Sequence, residues 1–341
     1  MAHGEHVRAL IRGQGQLWPL AVNAVQGIEI TTEWGRPPYL LVGSGTSYYL
    51  AQAAAEVAWR LRIEAVAASA GDVVLEPERW LGTPGGVIVI SRSGETSEAL
   101  WALKAAKEFG RRAVALVCNP HTSAELVADR TLCLDGADDA TVVMIRSFTT
   151  MLTSLQAAWA KLAGREREAA APLAEAMFPL LEAADRTWQA FTDGCRRVYI
   201  LGAGIRQGIA LEGALKIQEM SGVAAFVFSP LEFRHGPRGS VTEDDAVVVL
   251  GQEKWAADEW RVLTDMAGQT SRLAAIARPG WFLASSPAVG RIELPASVPD
   301  LWLGPLAVIP LQWLAWRLAM EHGADPDAPR NLTKVVEINR G

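Results

Sequence analysis

Within Leu211–Ser221, LEGALKIQEMS, two glutamates and a lysine fall at i, i+4 and i+7: Glu212, Lys216 and Glu219. At 3.6 residues per turn the three share one face of an otherwise apolar helix. A carboxylate held beside an ammonium stays ionised and can serve as a base toward a substrate. Glutamate four residues before lysine is also the favourable order for a solvent-exposed ion pair. The helix alone leaves both readings open.

Three loops carry further chemistry. GSGTSYY (43–49) joins an apolar strand to a helix; its glycines let the backbone approach an anion, and Thr46 and Ser47 add hydroxyl donors at the helix start. A dinucleotide site would ask for a third glycine where Tyr48 stands. SRSGETSE (91–98) follows a second apolar strand and sets Ser91, Ser93 and Thr96 around Gly94, beside Arg92. One hydroxyl suffices to cap a helix; three with an arginine form a polar cradle for a phosphate. LEFRHGPRGS (231–240) places His235 before Gly-Pro, in a turn, where an exposed histidine is the simplest reading.

These loops sit at the ends of a repeated element. YLLVGSGTSYYLAQAAAEVAWRL (39–61) and VYILGAGIRQGIALEGALKIQEM (198–220) each run strand, glycine turn, helix, with Gly43 and Gly45 aligned on Gly202 and Gly204. Further buried strands are expected at 86–91, 113–118, 130–135, 246–251 and 272–277, and a helical stretch over 166–192 joins the halves. Strands apolar throughout and alternating with helices predict parallel sheets covered on both faces. Ligands of such folds bind beyond the carboxyl ends of the strands.

The whole chain narrows the class. It has 341 residues, 50% hydrophobic, with a net charge of −6, a balance unlike the basic surface of a nucleic-acid binder. Cys118, Cys133 and Cys195 are odd in number and widely spaced, and the five histidines show no ligand spacing. Neither a disulfide framework nor a metal site is expected, and a reducing cytoplasm is the simplest location. No signal-peptide core stands at the N-terminus, and the most apolar segment, 301–316, is broken by Pro305, Pro310 and Gln312. It reads as buried core or a subunit interface, not as a membrane span.

GSGTSYY, SRSGETSE, LEGALKIQE, RHGP and the tail DPDAPRNLTKVVE (325–337) occur in one order. That set resembles the sugar isomerase (SIS) domain family, closest to the isomerase half of glucosamine-6-phosphate synthase and to stand-alone amino-sugar-phosphate isomerases and deaminases. The likeness runs over about residues 40–341. It implies an α/β fold of two tandem flavodoxin-like subdomains: an N-terminal helical segment (1–37), a first subdomain (38–165), a linker helix (166–192), a second subdomain (193–327) and a tail closing over the site (328–341).

The resemblance also implies roles. Ser47, Ser91, Ser93 and Thr96 would hold a sugar phosphate, with Thr46 and Arg92 beside them. Glu219 matches the base that moves a proton between C1 and C2, Lys216 the lysine one turn before it, His235 the ring-opening histidine, and Lys334 the tail lysine that forms an imine with a ketose. No metal or nucleotide cofactor is implied, and the partners are a small phosphosugar and a second copy of the chain that donates His235, with no nucleic acid or membrane.

The expected activity is aldose–ketose isomerisation of a hexose or hexosamine 6-phosphate with ammonia release. The alternatives are a synthase-like isomerase without the glutaminase domain, and a phosphosugar sensor. Two departures stand out: the chain opens MAHGEH, without the synthase's nucleophilic cysteine, and Arg92 and Arg234 replace glutamine and lysine. The catalytic set Lys216, Glu219, His235 and Lys334 favours an enzyme over a sensor.

Overall fold

The computed structural model describes residues 3–169, 173–282 and 289–338. It contains ten strands in two five-stranded sheets, every strand pair parallel. The first sheet is built from β1 (Tyr39–Gly43), β2 (Ala65–Ser69), β3 (Gly86–Ile90), β4 (Arg112–Val117) and β5 (Arg130–Cys133), in the order β2-β1-β3-β4-β5. The second comprises β6 (Arg197–Leu201), β7 (Ala224–Phe228), β8 (Asp245–Leu250), β9 (Arg272–Ala277) and β10 (Gly290–Glu293), in the order β10-β9-β8-β6-β7. The longer helices are α1 (Glu5–Gly13), α2 (Thr46–Arg60), α3 (Ser97–Glu108), α4 (Arg146–Leu162), α5 (Leu173–Trp188), α6 (Gln207–Ser221), α7 (Ala256–Met266) and α8 (Ile309–Glu321).

By contact the chain forms two compact units: residues 16–170 with 333–341, and residues 1–15 with 171–332. In the first, alternate strand residues serve opposite faces. Leu40, Val42, Val87 and Val89 pack with Ala99, Ala102 and Leu103 of α3. On the other face the Tyr39 ring meets Trp159 of α4 at 5.2 Å, and Trp159 Nε1 donates to the Ala54 carbonyl of α2 at 3.0 Å.

In the second unit, Tyr199, Leu201, Val247 and Val249 pack on Trp260, Leu263 and Met266 of α7. Helix α6 lies against β6 and β7 and also against α8. Gly213 permits that approach: a Cβ there would lie 2.3 Å from Leu311 Cδ1. The apolar segment 301–316 is accordingly core, with Leu303, Leu306, Leu311 and Leu314 at most 1% exposed. Among the described residues no helix is long and apolar enough to cross a membrane. The tail motif has a local task as well. Asp327 accepts from the Val7 and His6 N–H groups, at 2.8 and 3.1 Å, at the start of α1, satisfying donors that a helix start leaves open.

Candidate active site

The first GxG turn leaves β1 and the hydroxyl-rich loop leaves β3, and these strands are neighbours. Because the chain goes from β1 to β2 on one side and reaches β3 on the other, their carboxyl ends flank a switch point, where open α/β sheets bind ligands. Gly43 keeps the first turn tight, since a Cβ would lie 2.4 Å from the Ser47 carbonyl carbon. Helix α2 opens at Thr46 and α3 at Ser97, each without a side-chain cap bond. Two helix starts directed to one sheet edge place the positive ends of two helix dipoles there, which favours an anion.

Thr46, Ser47 and Ser91 are each 5% exposed, and Ser93 and Thr96 are partly buried. Ser91 Oγ accepts from Gly94 N and Ser93 Oγ from Glu95 N, both at 3.2 Å. Those bonds fix the loop and leave each hydroxyl its proton to donate. Thr122, packed against Gly94, and Thr141 bring two more buried hydroxyls without a hydrogen-bond partner among the described residues.

Arg92 lies elsewhere than expected. Its guanidinium donates to the carbonyls of Thr141 (2.9 Å), Val142 (3.2 Å) and Lys334 (3.3 Å), and faces the carboxylates of Asp138 (3.6 Å) and Asp139 (3.8 Å). With its fork committed to protein groups it braces the 138–142 loop and the tail, in place of the direct phosphate contact expected from sequence. Arg234 is likewise engaged, with Asp265 at 2.7 Å.

In the second unit, α6 turns its charged face inward. Glu212 and Lys216 are fully buried and the Glu219 side chain is 20% exposed. Lys216 Nζ donates to Glu219 Oε2 and stands 3.5 Å from Glu212 Oε1. Burial favours the neutral amine, but the two carboxylates outweigh it and hold the Lys216 pKa above the ordinary lysine range. A buried ammonium between two carboxylates, one reaching solvent, is the arrangement of a base with a proton donor beside it. The solvated-face reading of this helix is excluded. His235 is exposed in its turn, and its ring has no hydrogen bond or ion pair among the described residues. Lys334 Nζ donates to Asp138 Oδ2 at 2.6 Å in the first unit.

The repeat breaks where the chemistry lies. At the second GxG turn, the position equivalent to Ser47 holds Arg206, 1% exposed and paired with Asp300. Nearby, burial pushes Glu259 up to about 7, against the lowering effect of N–H donors from Gln252 and Trp281 and of Arg206. The folded chain keeps this proton between the ordinary carboxylate range and about pH 7, where the unfolded chain has lost it. Stability therefore falls as pH rises through that window, by about 3 kcal/mol in all. In Glu259→Gln that part of the pH dependence should vanish in urea unfolding between pH 5 and 8; an unchanged slope would contradict the assignment.

The fold and site define a tandem flavodoxin-like α/β protein with a hydroxyl-lined anion cradle in one half and a buried acid–base cluster in the other. The SIS domain pattern matches residues 83–161 and 193–277, one stretch in each half, and the chain belongs to the SIS domain family. It is 29% identical over 312 residues to a glutamine–fructose-6-phosphate aminotransferase (isomerizing) of Pyrobaculum aerophilum, covering 87% of this chain and 51% of the other. The chain spans about half the length of the curated relatives it matches. Among solved structures, glucosamine-6-phosphate deaminase of Thermotoga maritima has a TM-score of 0.77 at 23% identity, covering 96% of this chain and 99% of its own. Tagatose-6-phosphate ketose/aldose isomerase of Escherichia coli has 0.81 at 24%, covering 94% of each. At those identities the two structures establish the fold.

Proposed function

We propose that the protein is an aldose–ketose isomerase of a hexose or hexosamine 6-phosphate that releases ammonia from an amino sugar. The observation that carries this reading is the burial of Lys216 between Glu212 and Glu219, because a decorative surface pair would not be desolvated. The phosphate is taken by Ser47, Ser91, Ser93 and Thr96, with Thr46 beside them. His235 opens the ring. The Glu219 carboxylate takes the C2 proton of the open aldehyde form, exchanges it with solvent and delivers a proton to C1, while the Lys216 ammonium supplies positive charge to the oxygen that becomes anionic in the enediol. With an amine on C2 the product of this shift is a ketimine; water adds to it, ammonia leaves and a ketose remains. The exposure of His235 and the lack of a side-chain partner for its ring among the described residues support a homodimer in which a neighbour's histidine serves the site. A fully active monomer by light scattering would contradict that assembly.

The synthase-like reading draws on the aminotransferase relatives and runs the same steps backwards, consuming ammonia. The deciding experiment incubates the protein with a panel of hexose and hexosamine 6-phosphates and follows ketose and ammonia separately. The proposal expects both products from an amino sugar. Ketose without ammonia, from a neutral sugar only, leaves a plain isomerase. Binding with no product from any sugar would mark a phosphosugar sensor.

A further inference from the structure

We propose that Asp138 is the positioning residue for Lys334, pinning its ammonium beside the β3 loop as a fixed charge until the contact opens. The carboxylate Oδ2 accepts from Lys334 Nζ at 2.6 Å, while Oδ1 faces Arg92 Nε at 3.6 Å and is buried without a hydrogen-bond donor. The Asp138 side chain is 17% exposed and that of Lys334 37%.

An isolated pair at such exposure is worth little, but this one is not isolated. Arg92, 5% exposed, binds the Lys334 carbonyl at 3.3 Å and the Thr141 carbonyl at 2.9 Å, so the same guanidinium fixes both the tail and the loop that carries Asp138. Further along the tail, Ser97 N donates to the Val336 carbonyl at 3.3 Å and Ser97 Oγ accepts from Ile338 N at 3.0 Å. The backbone of the tail is thus held at Lys334 by Arg92 and beyond it, at Val336 and Ile338, by Ser97 at the start of α3. Among the described residues the Lys334 ammonium has one side-chain partner, Asp138, to let go.

An ammonium that donates into a carboxylate has no lone pair with which to attack carbon. Once the contact opens, Nζ can give a proton to water and become a free amine. On the reading of the site proposed above, that amine adds to a sugar carbonyl, the carbinolamine loses water, and an imine forms. Asp138 then decides whether Lys334 acts as a fixed charge or as a nucleophile. Its position in GADDA (136–140), beside Asp139, reads in sequence only as a polar connection.

The test uses the full chain and an acylating reagent at pH 8, with mass spectrometry resolving all six lysines of the sequence. Asp138→Asn keeps the shape and removes the charge, so acylation of Lys334 should rise about three- to tenfold while the other five lysines keep their rates. Asp138→Glu should bring the Lys334 rate back toward wild type. An unchanged Lys334 rate in Asp138→Asn would overturn the proposal, and so would a common rise at all six lysines, which would mean general loosening. The reading of the site is tested separately by turnover. A selective rise at Lys334 in a protein that turns over no phosphosugar leaves the latch standing and removes the isomerase.

Discussion

Glu219→Gln should lower turnover by roughly two to four decades, the usual span for removing a general base, while phosphosugar affinity stays near wild type. The amide keeps the length of the side chain and can still accept from Lys216 Nζ, the bond that now joins the pair, so the helix should keep its packing. The hydroxyl cradle belongs to other strands and loops and is untouched. Equilibrium binding of the phosphosugar, measured with turnover on the same preparation, separates the two effects. Near-normal turnover would mean that the buried cluster on α6 is structural.

Lys216→Met should have the largest effect on stability. The substitution removes the ammonium and leaves Glu212, fully buried, and Glu219 facing a hydrophobic stem. Breaking a buried pair from one side costs on the order of 3–5 kcal/mol, because an uncompensated charge stays behind. The sign with pH follows. Without its cation the buried Glu212 favours its neutral form, so its folded-state pKa rises above the unfolded value, and the loss grows as pH rises above the ordinary carboxylate range. Glu212→Gln combined with Lys216→Met should recover much of the loss, since no charge is then stranded. Urea unfolding of the single and double variants at pH 5 and pH 8 reads all three statements. A double variant as unstable as the single one would show that the cost comes from packing against α8 and not from charge.

The parts of the fold most legible in sequence are those whose burial is uniform. The central strands β1, β3, β4, β6, β8 and β9 are apolar runs because helices cover both faces, and their positions follow directly from VIVI, AVALV or AVVVL. Among the edge strands, β5 is expected from sequence at 130–135, whereas β2, β7 and β10 are not legible in that way. Each has one neighbour and part of its surface in solvent: Val66 is 55% exposed and Phe226 42%, so AVAAS, AAFVF and GRIE carry no continuous apolar signal. The N-terminal segment shows the same limit. Nothing in its own residues says that Asp327, some 320 positions away, caps α1.

The site divides similarly. Ser47, Ser91, Ser93 and Thr96 can be placed because a hydroxyl after a buried strand has a definite location at the sheet's carboxyl edge. The orientation of the α6 face is invisible to spacing, since Glu212-x-x-x-Lys216 suits water as well as a core; the close approach of Leu311 at Gly213 decides it. Arg92 sits in the right loop, but its length lets the guanidinium reach loop 138–142 and the tail, and partners so distant in sequence cannot be read from SRSGET. Asp138 is missed for the same reason. The second GxG turn keeps the shape of the first, yet Arg206 and Asp300 form an internal ion pair where the first half has hydroxyls.

The central claim is that Glu219 moves a proton between C1 and C2 of a phosphosugar. The most direct measurement incubates the protein with a ketose 6-phosphate or its aldose partner in heavy water and follows deuterium entering C1 and C2 by proton NMR. The wild-type protein should exchange one C-bound proton with solvent during interconversion, and Glu219→Gln should exchange it at a rate lower by roughly two to four decades. Equal exchange in the two proteins would contradict the claim, as would interconversion by the wild type at a rate that Glu219→Gln leaves unchanged.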